Sequence, residues 1–440
     1  MNKNKFDYII VGGGTAGLAL AKELCLRKQR VLVLEKGYHH RFIGHTYYAG
    51  FYYDHAAVGP KSRQGIIINR TINLGGTSLA NGGNAVPSGV DCFKQLGINL
   101  SDAVDQISSE LNVNTRDFPI GKTTRKIIVS ANRLGLDMVP MPKFGTPEAH
   151  SRCCSCGNCI LGCKYGAKWS SLDFLKDIDP DFCTIFTGVA VKNVIVQNNR
   201  CVGVEGRRLM RKQRWYADRV ILSAGGLGTP VILQNSGIDH AGEHLFVDLL
   251  NVTYGILPGS TQFHEVTMNI ISDKFYQEQG FILTSFIDNI VGLVSTLSPR
   301  EYKYLARYKR LVGVMTKIKD TDQGKVYANG TIDKTVLTED AERFKTGNTY
   351  AREILLGMGI EPKNIFVTRP RGAHPGGTAG IGRVVDNRLE TEIKDLFVCD
   401  TSVFPHAFGL PPILTLLALS RWFVSSLFTK SKETVELERQ

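Results

Sequence analysis

Tyr8-Ile9-Ile10-Val11-Gly12-Gly13-Gly14-Thr15-Ala16-Gly17 passes from a β-branched run into a glycine turn and then into a helix. The apolar run suits a central strand of a parallel sheet, buried on both faces. Past the turn, Ala16, Leu18, Leu20, Ala21 and Leu24 continue as a helix, and Val31-Leu32-Val33-Leu34 follows as a second buried strand closing on Glu35. In this G-x-G-x-x-G pattern Gly12 permits the tight turn, Gly14 lets a pyrophosphate approach the backbone, and Gly17 lets the helix pack close to the strand. Thr15 and Ala16 open a helix whose free N–H groups and partial positive charge suit phosphate. At the end of the second strand, the Glu35 carboxylate is placed to accept both ribose hydroxyls. Strand, turn, helix, strand and Glu together predict a dinucleotide site without separating FAD from NAD.

The rest of the chain bounds what this unit belongs to. At 440 residues, two lobes sharing an interface are expected rather than one simple core. Lys and Arg number 53 against 41 Asp and Glu, a formal net charge of +12, which favours anionic partners. Nucleic acid is not among those expected. The densest basic run, Arg207, Arg208, Arg211, Lys212 and Arg214, lies between strand-like segments and reads as a solvated hairpin turn. The apolar stretch after the first lysines runs straight into glycines, so it reads as a strand rather than a signal peptide. From Leu410 to Phe428 the tail is the most membrane-like segment, but Arg421 interrupts it, and no span is expected. A cytoplasmic location with reduced cysteines follows as the expectation.

Further glycine clusters recur at Gly75-Gly76-Thr77-Ser78 with Asn81 beyond, at Ala224-Gly225-Gly226, and at His374–Gly382. Residues 184–223 alternate like short antiparallel strands, and Val191 lies among them. From about 244 to 335 the pattern is again strand-like. Leu337–Met358 reads as an amphipathic helix, Leu396–Cys399 as a strand before Asp400, and a terminal helix starts near Ile413. The expected fold class is α/β, with a Rossmann-like dinucleotide domain built from discontinuous segments and a smaller α+β substrate domain carrying an antiparallel sheet. The segments expected are 1–144, 145–170 (cysteine-rich), 171–244, 245–369 (substrate domain) and 370–440.

Four of these stretches resemble signatures of the glucose–methanol–choline (GMC) oxidoreductase family, in the family's order. Gly75-Gly76-Thr77-Ser78-Leu79-Ala80-Asn81 resembles the first, and Gly225 through Ile238 the second. His374–Gly382 resembles the catalytic histidine segment. Leu396 through Pro405 resembles the strand whose aspartate, here Asp400, reaches the cofactor. The resemblance implies FAD as the cofactor. It places Gly75, Gly76, Thr77, Ser78, Asn81, Val191, Ala224, Gly225, Asp400 and Pro411 with Gly12, Gly14, Thr15, Ala16, Gly17 and Glu35 around it.

The same resemblance implies that His374 removes the hydroxyl proton of an alcohol as hydride leaves for flavin N5. A histidine suits this because its ordinary pKa near 6.5 leaves it largely a neutral base at pH 7. The family's second catalytic residue, Asn or His in G-x-N-P-x-x-T, is missing. Gly409-Leu410-Pro411-Pro412-Ile413-Leu414-Thr415 puts Pro411 there, and proline has no donor to offer. Either His406 takes the role or one histidine acts alone. The departure leaves room for carbonyl or alkene reduction, and for an electron-transfer flavoprotein with no substrate of its own.

Five of the ten cysteines crowd between 153 and 163. Cys153, Cys156, Cys159 and Cys163 reproduce the ferredoxin spacing C-x2-C-x2-C-x3-C. Two resemblances compete over the same run. The GMC dehydrogenases for glucose and fructose carry a three-iron cluster on a Cys-Cys-x4-Cys segment, which picks out Cys153, Cys154 and Cys159. Long-chain alcohol oxidases have a C-G-x-C-x-x-G-C segment like Cys156–Cys163. An iron–sulfur cluster (4Fe-4S or 3Fe-4S), a zinc site and a loop of reduced thiols all stay open. A cluster would favour a dehydrogenase that passes electrons to a ferredoxin-like partner over an oxidase. Cys25 and Cys399 sit in apolar runs and are expected in the core.

Overall fold

The computed structural model describes residues 6–40, 42–54, 59–259 and 264–437, with the backbone alone for Tyr47 and for residues 430–437. Two sheets organise it. The first runs in the order Cys183–Phe186, Val31–Leu34, Phe6–Val11, Arg211–Leu222, Arg200–Arg208, Val189–Gln197, and Leu396–Val398 pairs beside the end of Arg211–Leu222. The four strands around Phe6–Val11 are mutually parallel, as continuous apolar runs require. Arg200–Arg208 and Val189–Gln197 turn back antiparallel as an outer meander. Segments from both ends of the chain and its middle thus build one α/β sheet.

The helix Thr15–Cys25 lies on that sheet, and the terminal helix Ile413–Leu437 packs against it. Arg421, which breaks the apolar tail, explains the docking: its Nε donates to Glu23 Oε1 at 2.8 Å and its Nη2 bonds Glu110. Among the described residues no helix is long and apolar enough to cross a membrane. Cys25 and Cys399 are buried in the core, as expected. The basic run does form a hairpin turn, between Arg200–Arg208 and Arg211–Leu222, with Leu209 and Met210 exposed at its tip.

The second sheet runs Ile67–Ile68, Arg371–Gly372, Leu249–Ile256, Leu311–Ile318, Phe281–Phe286, Ile270–Ser272, Val139–Pro140, and Ile365–Val367 adds to Leu249–Ile256. Its long strands are antiparallel, so their side chains alternate between two faces. Phe281, Leu283, Val312, Val314 and Ile318 face the helix Thr338–Gly357 in a core of their own. Ile282, Thr284, Phe286, Met315 and Lys317 face the other way, into a cavity. Phe275 stacks on Tyr350 at 4.6 Å, and Tyr276 is half-buried beside Met141. Among the described residues the strand-like stretch before that helix is interrupted by three helical pieces, Tyr276–Gln279, Ile290–Thr296 and Pro299–Arg310. Local capping overrides strand propensity in the last two. Asn289 accepts from the Gly292 N–H, and Ser298 and Glu301 form a capping box.

Candidate active site

The dinucleotide turn has the shape its glycines predict. Gly12 has φ +106°, and a Cβ there would stand 2.3 Å from the Ser223 carbonyl oxygen; one on Gly17 would stand 1.8 Å from the Gly12 oxygen. Gly14 differs, since a Cβ on it would meet only Gly76 Cα at 3.9 Å. The helix Thr15–Cys25 starts on Gly14 in extended conformation with no side-chain cap, so its first N–H groups remain for a ligand. Gly75, in the left-handed region, donates its N–H to the Gly13 oxygen at 2.8 Å and locks the first family-like segment onto the turn. Glu35 Oε2 accepts from Gly13 N–H at 2.7 Å and Oε1 from Gly37 N–H at 2.6 Å. Burial raises its pKa against those two N–H groups. Each carboxylate oxygen keeps a second acceptor position for a ribose hydroxyl. An uncapped helix start, a backbone cradle and a buried carboxylate fit a dinucleotide.

The Asp400 carboxylate is held by donors of the protein itself. Its Oδ2 accepts from Gly225 N–H at 2.8 Å and Thr229 Oγ1 at 2.5 Å, and its Oδ1 from Ser402 N–H at 2.7 Å. It caps the start of the helix Gly225–Gln234, which leaves open space over Gly225, with φ +78°. Ala224 donates its N–H to Thr229 Oγ1 at the same cap. Val191 is half-buried on the outer meander, just past Val189, whose N–H bonds the Glu35 carbonyl.

A cavity lies against the face of the second sheet turned away from the helix Thr338–Gly357. Thr77 and Asn81 line one wall, Pro411 and Ile413 the start of the terminal helix, and His374 and Lys317 the second sheet. Ser78 is spent locally, its Oγ on the Gly75 oxygen at 2.6 Å. Asn81 Nδ2 likewise bonds the Thr77 and Ser78 oxygens. His374 Nδ1 stands 3.0 Å from Asp248 Oδ2, and Lys317 Nζ lies 2.9 Å from the same oxygen and 3.0 Å from His374 Nδ1. Gly409 N–H fixes Asp248 Oδ1 at 3.0 Å. Burial, then the Lys317 ammonium, pushes His374 down to about 4, with Asp248 opposing. Burial works against the Asp248 carboxylate, but Lys317 and His374 outweigh it and hold its pKa below the usual range. For Lys317, burial wins over Asp248 and lowers it.

His406 does not join this group. Its ring is exposed, its Nδ1 donates to the Ala407 carbonyl oxygen at 3.0 Å, and it packs edge-on to Phe408 at 5.2 Å. Of the two alternatives for the missing asparagine, the structure does not bring His406 to this group: the chain turns it out to solvent beside Cys92. Asp248 and Lys317 went unnoticed in the sequence. The signal was there, a carboxylate inside the apolar run Leu245–Leu250 and an ammonium at the end of Leu311–Ile318.

All five clustered cysteines line one small cavity, with Lys168 and Val266 in its wall. Cys154 is exposed; Cys153, Cys156, Cys159 and Cys163 are half-buried. Burial raises the thiol pKa of Cys153, Cys156 (to about 11) and Cys159. Among the described residues no three His, Cys, Asp or Glu side chains converge as one metal ion requires. A cluster of several irons holds its thiolates further apart than one ion does. Two buried lysines back the loop. Lys143 Nζ bonds the oxygens of Gly82, Asn84 and Thr267, and Lys168 Nζ those of Ser78, Leu79 and Asn81.

Comparison with known proteins agrees with this architecture. Residues 6–250 match the N-terminal part of the GMC oxidoreductase family, and residues 332–420 its C-terminal part. A protein of Methanocaldococcus jannaschii, itself uncharacterised, is 31% identical over 426 residues, covering 96% of this chain and 100% of the relative. A long-chain-alcohol oxidase of Arabidopsis thaliana is 23% identical over 523 residues, covering 98% of this chain and 68% of the relative. The fold matches that of a formate oxidase variant of Aspergillus oryzae with a TM-score of 0.74, at 16% identity, over 98% of this chain and 100% of the other. With both family regions matched in order and the dinucleotide cradle in place, this chain belongs to the GMC oxidoreductase family, whose FAD the turn at Gly12–Gly17 and the segments around it are shaped to hold.

Proposed function

We propose that the protein oxidises an alcohol to the carbonyl compound, with His374 taking the hydroxyl proton. The observation that carries this reading is the hold on His374: Nδ1 lies 3.0 Å from a buried Asp248 oxygen, and the ring borders the cavity that Thr77 and Asn81 also line. Bound FAD would supply the two-electron acceptor, taking the hydride from the alcohol carbon at flavin N5. In the tautomer that gives Nδ1–H to Asp248 rather than taking a hydrogen bond from Lys317, the lone pair lies on Nε2, the nitrogen left for the substrate hydroxyl. The proton that leaves oxygen is then held on an imidazolium that Asp248 stabilises. Lys317 keeps Asp248 charged and brings an N–H donor to the cavity that Pro411 lacks. Rapid mixing of the anaerobic holoenzyme with alcohols tests the reading. Substrate should bleach the flavin, and His374→Ala should slow bleaching by about 10²-fold or more. An unchanged rate in that variant removes His374 as the base.

The second half of the proposal concerns how electrons leave. Cys153, Cys156, Cys159 and Cys163 would hold a four-iron cluster, or Cys153, Cys154 and Cys159 a three-iron one, and such a cluster turns an electron pair into single-electron transfers. Supporting this, Lys143 and Lys168 are fully enclosed, and neither makes an ion pair among the described residues. Buried ammonium groups are costly without a countercharge. An anionic thiolate cluster beside them would supply it. The partner would be an acidic one-electron carrier of ferredoxin type, matched to the basic chain. Iron and sulfide analysis of anaerobically prepared protein, with EPR, decides the matter. Zinc without iron, or no metal, would overturn the cluster and return oxygen as the acceptor.

A further inference from the structure

The basic hairpin between Arg200–Arg208 and Arg211–Leu222 lines no part of the cavity at His374, and its turn is built against local preference. Arg208 pairs with Arg211 across the two strands, so Leu209 and Met210 are the whole turn. Both hold left-handed φ, 49° and 64°, as the two-residue turn that matches strand twist requires. Asn-Gly or Asp-Gly ordinarily fills such a turn, because a bulky side chain is strained there. Leu209 and Met210 are also 81% and 89% exposed, the two most exposed large apolar side chains among the described residues. Neither backbone geometry nor packing accounts for an apolar pair at this place.

Charge around the tip is one-sided. Arg207 faces Lys212 and Arg208 faces Arg211, two like-charged cross-strand pairs in succession, which destabilise a sheet. From 189 to 214 the meander holds seven Lys and Arg against one carboxylate, Glu205. Lys212 and Arg214 share that carboxylate, each at 2.9 Å, and Arg208 lies over the Phe186 ring at 4.1 Å. Arg207 and Arg211 are exposed and make no ion pair among the described residues. The third strand of the meander starts at Val189, opposite Arg208, so it does not run alongside the turn. At about 3.3 Å per residue, the cations stand one to two residues, roughly 3–7 Å, behind the apolar tip. An apolar point with cations set back by that distance matches the headgroup region of a bilayer, where interfacial apolar side chains sit about 5–10 Å deep. Nucleic acid would use the cations but not the tip, and two side chains are too few for the core of a protein–protein interface.

We propose that this hairpin docks the protein on a membrane surface rich in anionic phospholipid, without crossing it. Leu209 and Met210 enter the boundary between headgroups and acyl chains, while Arg207, Arg211 and Lys212 meet lipid phosphates. The apolar side chains then gain the burial that the fold denies them, and the facing like charges gain counter-ions. This role is independent of the reaction proposed at His374.

Sedimentation of the full-length holoenzyme with lipid vesicles is the test. The protein should bind vesicles of equal parts phosphatidylglycerol and phosphatidylcholine, bind pure phosphatidylcholine about tenfold or more weakly, and leave the anionic vesicles as salt rises. Leu209→Asn with Met210→Gly installs the residues that the turn prefers. This double variant should melt no lower than the native protein and keep its flavin, yet need about tenfold more lipid for half-maximal binding. Arg207→Gln with Arg211→Gln should also weaken binding and flatten its salt dependence. A native protein that stays in solution beside anionic vesicles overturns the proposal, as does undiminished binding by the Leu209→Asn, Met210→Gly variant. Should that variant instead break up an assembly seen by size-exclusion chromatography, with no vesicle binding by the native protein, the tip joins copies of this chain and the membrane proposal falls.

Discussion

A single oxygen of Asp248 serves two partners, His374 Nδ1 at 3.0 Å and Lys317 Nζ at 2.9 Å, with Gly409 holding the other oxygen. The imidazole is thus oriented by a carboxylate that is itself pinned from two sides. The position of the base depends on this one group, while its protonation is set by burial and Lys317 with Asp248 opposing. Asp248→Asn would lose the charge that stabilises the imidazolium while keeping the shape, so flavin reduction should slow by on the order of 10²-fold with little change in the substrate concentration for half-maximal rate. Anaerobic stopped-flow measurement separates the two; a pure rise in that concentration would make Asp248 a binding residue.

The pH profile follows from the depressed pKa of His374. Held near 4 by burial and the Lys317 ammonium, it stays neutral throughout the range where a free histidine would titrate. Flavin reduction should be level from about pH 6 to 8, and its acid limb should fall near the folded pKa rather than near 6.5. Lys317→Met removes one of the two lowering causes, so the limb should move upward. Stability has the same sign. The unfolded chain takes up the proton first, so the contribution is intact above 6.5 and is lost as pH falls toward 4. An acid limb at 6.5 in the native enzyme would contradict the enclosed histidine.

Lys317 also matters to folding. Removing it leaves the buried Asp248 without its ion pair, and Lys317→Met should cost about 3–5 kcal/mol in urea unfolding. Replacing both charges, as Lys317→Met with Asp248→Leu, should recover much of that loss while the enzyme stays inactive. Equal instability of the single and double variants would place the effect in packing instead.

The three turn glycines should behave differently. Gly17→Ala forces a Cβ within 1.8 Å of the Gly12 oxygen, and Gly12→Ala adds a left-handed backbone angle to a clash with Ser223. Both should lower the melting temperature. A Cβ at Gly14 meets no atom closer than 3.9 Å beyond its chain neighbours, so the apoprotein of Gly14→Ala should fold normally. It should nonetheless purify without flavin, because the side chain occupies the space of the pyrophosphate. Flavin content by absorbance, set beside melting of the apoproteins, checks the distinction.

Much of this protein was legible in its sequence because the signals are local. The glycines of the turn, the strand Phe6–Val11 and Glu35 carry their meaning in spacing alone, since each answers a backbone constraint within one βαβ unit. His374 was found by its motif. His406 was not legible, for the opposite reason. Nothing local tells which side of the segment before Pro411 faces the cavity, and the structure turns that ring outward. Lys317 reads in sequence as a charge ending an apolar strand. Only its parity with Met315 and its pairing with Ile282 and Leu250 put it on the cavity face.

The sequence by itself determined a dinucleotide cradle, an α/β sheet assembled from distant segments, and the histidine in its motif, because these depend on turn geometry and side-chain periodicity. The tertiary structure decided which charges meet. Asp248, Lys317 and His374 lie on three separate segments, and Asp288 reaches Arg371 across the second sheet. Burying a charge is tolerable only with a partner at hydrogen-bond distance. That partner is chosen by strand order and register, which no short stretch of sequence encodes.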